Sequence, residues 1–94
     1  MFGIERIDDH RVALSGRLDA SQVKTAEATF DTITGDCVVD CTDLAYISSA
    51  GIGVIIATYK RLHDGGGKLS MTNLNTHVKQ VFHYAGLSAI LDIT

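Results

Sequence analysis

Proline and tryptophan are both absent from this chain of 94 residues. Without proline, ending helices and setting turns falls to nine glycines and to Asn and Asp. Cysteine is scarce, with only Cys37 and Cys41. On one strand their Cα atoms would stand ~13 Å apart, at ~3.3 Å per residue. A disulfide needs less than ~7 Å, so that reading excludes an intrachain bridge. Two small buried apolar residues in a reducing compartment are expected instead. Neither a Cys-x2-Cys pair nor two histidines at helical spacing is present, so no metal site is expected.

Basic charge is short as well. Eight Lys and Arg face eleven Asp and Glu, a net charge of −3, and only Lys60-Arg61 are adjacent. A nucleic-acid partner needs a basic stripe, so none is expected. Long apolar runs are missing too. The longest is broken by serines and glycines and falls short of the ~20 residues that span a bilayer. Met1 to Arg6 has neither the basic flank nor the apolar stretch of a signal peptide, and a cytoplasmic protein is expected. What remains is an ordinary globular composition, 46% hydrophobic and 20% charged. It suits one domain over residues 1–94.

Ile4-Glu5-Arg6-Ile7 and Val12-Ala13-Leu14-Ser15 read as two strands. The polar Asp8-Asp9-His10 between them suits a hairpin turn. Asp19 is a good helix N-cap, and Gln22 three residues on would complete a capping box. Val23, Ala26, Phe30 and Ile33 then fall on one helical face, which Gly35 would close. Cys37-Val38-Val39-Asp40-Cys41 suits a short strand buried on both faces, with Thr42-Asp43-Leu44 turning away.

Leu44 to Ile56 is the centre of the chain. There a strand-like pattern becomes a helix-like one at Ser48-Ser49. The helix is expected from about Ser49 to His63, with Ile52, Ile55, Ile56, Tyr59 and Leu62 as its buried stripe. Gly65-Gly66-Gly67 would stop it. Lys68 to Thr72 alternates as a strand. Asn73 or Asn75 can cap a third helix with Val78, Val81, Phe82 and Ala85 inward and Gly86 after its end. Ile90 to Ile93 reads as a last short strand or as the start of a lost element. Alternating strands and helices predict an α/β fold with a mixed, mostly parallel sheet of four to five strands and three helices.

Catalytic motifs fail on their spacing. A nucleophile elbow needs Gly-x-Ser-x-Gly, and Ile47 stands where the first glycine belongs before Ser49. A small hydrolase would also need a deep pocket with a histidine in reach of Ser49. A P-loop needs a glycine at Leu62 and Ser or Thr at Leu69. A dinucleotide fingerprint would need a glycine at Ile56. No enzyme activity and no cofactor are expected. A serine at a helix start is first of all a cap. It is also a place where free N–H groups and the helix dipole favour an anion, so it is well placed to carry a phosphate.

Asp43-Leu44-Ala45-Tyr46-Ile47-Ser48-Ser49-Ala50-Gly51-Ile52-Gly53-Val54 resembles the signature of the STAS domain family, the anti-sigma factor antagonists. Gly16-Arg17-Leu18-Asp19 looks like that family's first loop. The order of elements matches, and the resemblance covers nearly the whole chain. It implies a single STAS-type domain that binds partners, with no catalytic residues. An anti-sigma factor that is also a serine protein kinase would phosphorylate Ser49, at the start of the second helix, and so switch binding off. A serine phosphatase would reset it. Asp19, Ala20, Ser21, Ser48, Ala50, Gly51 and Ile52 would share the partner surface, and the protein would be a monomer. Ser48 stands where the best-known members carry Asp, and Ala50 where some carry a hydroxyl. The alternative implied by the same family is a STAS subunit that binds a partner or ligand without phosphorylation, in a signalling or lipid-transport complex.

Overall fold

A computed structural model describes residues 1–94. Five strands lie side by side in the order in which the chain makes them. β1 (Phe2–Asp8) and β2 (Arg11–Leu18) form the expected antiparallel hairpin. The Asp8 carboxylate accepts from the His10 N–H at 2.8 Å and tightens its turn. β2, β3 (Cys37–Ile47), β4 (Leu69–Thr72) and β5 (Asp92–Ile93) are parallel neighbours. The crossovers between them carry α1 (Val23–Phe30), α2 (Ser49–Asp64) and α3 (Thr76–Tyr84). The sheet is thus mixed and mostly parallel, as the sequence pattern predicts.

Each crossover moves one strand further in the same direction. Right-handed connections then put all three helices on one face of the sheet. Burial agrees with this. Val12, Leu14 and Leu18, Cys37, Val39 and Cys41, and Leu69 and Met71 are buried. Ala13, Ser15, Val38, Asp40, Ser70 and Thr72, which alternate with them, are half-buried. The expectation of a β3 buried on both faces is corrected: steady strand order leaves the second face without helices.

β3 also corrects the expected turn at Thr42 to Leu44, because it continues for 11 residues to Ile47. Its register explains why the sequence pattern breaks. Ala13 to Ser15 on β2 lies opposite Asp40 to Asp43, and Gly16 to Arg17 lies opposite Leu44 to Tyr46. Each step has one more residue on β3, so the strand carries two bulges. Inward residues therefore run Cys37, Val39, Cys41, then Leu44 and Ile47. Asp40 supports the first bulge by accepting from the Thr42 N–H at 3.0 Å and the Thr42 hydroxyl at 2.6 Å. These bonds, the hydroxyl's first, hold the Asp40 carboxyl below its usual pKa.

Each helix departs from expectation in some detail. Asp19 caps a 3-10 turn, Ala20–Gln22, that precedes α1. No capping box forms, because the Gln22 amide donates to Ser21 Oγ. α1 ends at Phe30, so Gly35 lies in the loop that follows and does not close the helix. Arg61 secures that end instead, donating to the Phe30 carbonyl at 2.7 Å. α2 buries Gly51, Val54, Ile55, Thr58 and Leu62, with Ile52, Ile56 and Tyr59 packed along the flank. Thr58 reaches the core because its hydroxyl donates to the Val54 carbonyl at 2.9 Å. The three glycines stop α2 as expected. Gly66 sits at φ +86°, and the Gly67 and Gly66 N–H groups return to the Leu62 and His63 carbonyls. Asn75, not Asn73, caps α3, accepting from the Val78 N–H at 2.8 Å. Val78 and Phe82 are buried there, but Ala85 is exposed.

Both cysteines are free and buried. Loss of hydration pushes the Cys37 thiol up to about 11 and the Cys41 thiol to about 12, from 9.0. Native protein at pH 8 is therefore expected to resist iodoacetamide, with both thiols modified once it is unfolded in urea; rapid native labelling would contradict the packing. The folded state favours the neutral thiols, so their contribution is complete below pH 9 and is lost as pH rises toward 11–12.

Candidate functional site

The site begins where β3 ends. Ser48 is extended, at φ −91° and ψ 173°, and its side chain accepts from the Gly51 N–H at 3.2 Å. Its carbonyl accepts from the Ile52 N–H at 2.9 Å, the first turn of α2. Ser48 is therefore the N-cap, a role that Ser and Asp fill about equally well. The cap therefore needs no carboxylate at position 48. Ser49 is then the first residue of α2, a helix of 16 residues, and is exposed.

A backbone bond brings a second loop beside it. The Ser48 N–H donates to the Leu18 carbonyl at 2.9 Å, joining the ends of β2 and β3. The chain leaves Leu18 directly into Asp19, Ala20 and Ser21. The Asp19 carboxylate accepts from the Ser21 hydroxyl at 2.6 Å and the Ser21 N–H at 3.1 Å. Those bonds, the hydroxyl's first, hold its pKa below the usual carboxylate range. The 3-10 turn packs against α2. Parallel strands thus deliver both loops at their C-terminal ends, where an open α/β sheet usually presents its sites.

Ala20, Ser21 and Ser49 are exposed, while Asp19, Ser48, Ala50 and Ile52 are half-buried. Gly51 is buried between α2 and the strand ends. A Cβ there would lie 2.8 Å from Ile47 Cγ1, Leu18 Cγ and the Leu18 carbonyl oxygen. Gly51 lets α2 approach the strand ends closely enough to set Ser49 beside the Asp19 loop.

Sequence reading missed the neighbours of these loops. The Arg17 guanidinium carbon lies 4.2 Å from the centroid of the Tyr46 ring, a cation–π contact. The His77 ring lies nearly parallel to Tyr46, at 6.3 Å and 19°. Arg17 opposes Tyr46 in the register, one step before Leu18 opposes Ile47. The three residues come from β2, β3 and α3, and no local pattern links them. Between α1 and α2 a groove opens beside Ala50, rimmed by Glu27, Asp31 and Arg61 and floored by Val54 and Thr58. Ser49 lines no cleft of the surface. No helix is long and apolar enough to cross a membrane.

Known proteins resemble this chain in sequence and in fold. An anti-sigma-B factor antagonist of Bacillus subtilis is 36% identical over 52 residues, 55% of this chain and 48% of that protein. The anti-sigma-B factor antagonist of Listeria monocytogenes is 30% identical over 94 residues, 95% of this chain and 82% of that one. The Bacillus protein SpoIIAA, solved in its phosphorylated form, superposes with a TM-score of 0.70 at 20% identity, over 100% of this chain and 91% of that one. The family model described as "Mlab, STAS domain" matches residues 4–92. That match runs from within β1 to the start of β5 and takes in every element between them, and the chain belongs to the STAS domain family.

Proposed function

We propose that this chain is an anti-sigma factor antagonist of the cytoplasm, switched off by phosphorylation of Ser49. The observation that carries the proposal is the division of labour between two adjacent serines. Ser48 is engaged as the cap of α2, and Ser49 stands exposed on its first turn. Modification of Ser49 therefore leaves the cap intact. A phosphate adds about −1.5 to −2 charge, at a helix end whose free N–H groups and dipole favour an anion. The fold tolerates the group, while a partner seated over Ser49 meets an unpaired dianion. Two lines of likeness support this reading: relatives that bear the name of antagonist, and a fold shared with a protein known in a phosphorylated form. The partner is a serine kinase that is itself the anti-sigma factor, and a serine phosphatase restores binding by the monomer.

The test is incubation with ATP and the kinase-type anti-sigma factor of the same genome, read by mass spectrometry of the intact protein and its peptides. One phosphoryl group on Ser49 is expected. Ser49→Ala abolishes it, whereas Ser48→Ala retains it and lowers stability by about 0.5–2 kcal/mol through loss of the cap. Label on Ser48, or none with an active kinase, contradicts the proposal.

A second reading keeps the surface and drops the phosphate. It makes the chain a constitutive interaction or ligand-binding subunit of a signalling or lipid-transport complex. Ser48 favours it, because no carboxylate precedes Ser49 to meet a kinase. The same experiment separates the two, since this reading expects stable binding and no phosphate.

A further inference from the structure

We propose that Arg17, held over the Tyr46 ring, is a second contact for the anti-sigma partner and binds a carboxylate side chain of that protein. The inference rests on the functional reading above and adds the kind of group that this end of the sheet recognises. Three observations converge on it.

The first is pairing. Arg6 is bridged to Asp9 at 2.9 Å, and Arg61 lies 4.0 Å from Asp31 and donates to the Phe30 carbonyl. Arg17 belongs to neither ion pair. The Tyr46 ring holds its guanidinium at 4.2 Å, and the nearby Asp19 carboxylate feels its charge without forming an ion pair with it. The second is rigidity. Tyr46 is half-buried and is itself flanked by His77 at 6.3 Å. A guanidinium stacked on a fixed ring loses less freedom when it binds than one that swings in water. The third is place. Arg17 precedes Leu18, whose carbonyl receives the Ser48 N–H, so it stands on the rim that carries Asp19 and Ser49. The chain as a whole is acidic, at −3. An exposed cation on that rim, held over an aromatic ring and in no ion pair of its own, complements an acidic group, which a guanidinium fork can hold through two parallel hydrogen bonds.

The experiment is calorimetric titration of the same-genome anti-sigma factor with wild type, Arg17→Ala, Arg17→Lys and Ser49→Asp, each checked for Tm and repeated at two salt concentrations with and without ADP. Arg17→Ala is expected to weaken binding by about 10- to 100-fold, as loss of a hydrogen bond to a charged group does. Its affinity should also fall less with added salt than that of wild type. Arg17→Lys should lie between, because it keeps the charge and loses the fork. Tm of Arg17→Ala should fall by only a few degrees, because Arg17 is exposed and loses the one contact with Tyr46. Arg17→Ala binding within twofold of wild type, while Ser49→Asp loses binding, overturns the Arg17 contact and leaves the proposed function standing. A penalty seen only with ADP would assign the anion to the nucleotide phosphate and overturn the carboxylate. Failure of wild type itself to bind overturns both.

Discussion

Ser49→Asp is expected to weaken binding to the anti-sigma factor by at least about a hundredfold, while Ser49→Ala stays within about threefold of wild type. Leaving one buried charge without a partner costs about 3–5 kcal/mol, and 1.4 kcal/mol is a factor of ten in affinity. Loss of a hydroxyl from an exposed position removes little. The same two variants should differ in the opposite sense in stability. A carboxylate in the first turn of α2 gains about 0.3–1 kcal/mol from the helix dipole, so Ser49→Asp should melt at or slightly above the wild-type temperature. Ser48 accounts for that tolerance, because its bond to the Gly51 N–H holds the cap whatever residue 49 carries. Titration and thermal melting of the three proteins check both halves. Equal affinities for the Asp and Ala variants would remove the charge mechanism, and a large fall in the melting temperature of Ser49→Asp would show that the helix start does not tolerate the group.

Much of this arrangement is legible in the residues, and the places where legibility stops have physical causes. The strand-to-helix switch at Ser48-Ser49 stands out because hydrophobic period changes there and both serines suit a helix start. α3 is readable at its cap, although two asparagines compete for it. The structure uses Asn75 and sends Asn73 to φ +61°, where its amide donates to Asp40 at 3.2 Å. β3 is less readable, since each bulge shifts the alternation by one residue and imitates a turn. The one-sided sheet is not a local property at all; it follows from strand order, which no window of residues contains. The inner face of α2 misleads for a different reason. Gly51 and Thr58 sit in the core without apolar side chains, one because the backbone approaches closely and the other because its hydroxyl is satisfied on its own helix. The Arg17, Tyr46 and His77 stack joins three distant segments, so only the folded register brings it together.

The two glycines of α2 offer the sharpest test of how the site is held. Gly51→Val is expected to destabilise the domain by about 3 kcal/mol or more, the upper end of what overpacking costs, whereas Gly53→Ala should stabilise it by about 0.5–1 kcal/mol. Both glycines lie in one helix, two positions apart, and propensity alone would favour replacing either. Space separates them. A Cβ on Gly51 meets Ile47, Leu18 and the Leu18 carbonyl at 2.8 Å. That carbonyl cannot step aside freely, because it receives the Ser48 N–H at 2.9 Å. A Cβ on Gly53 meets nothing within 4 Å. At about 4–8 °C per kcal/mol for a domain of this size, Gly51→Val should lower Tm by more than ten degrees and Gly53→Ala should raise it by several. Gly51→Ala separates strain from function. Its methyl must push α2 away from the strand ends, so Ser49 moves relative to Asp19. Affinity for the anti-sigma factor should then fall even at a temperature where the variant is fully folded. An unchanged Tm in Gly51→Val would mean that α2 does not sit as close to Leu18 as described. A folded Gly51→Ala with wild-type affinity would mean that the partner does not read Ser49 and the Asp19 loop as one surface.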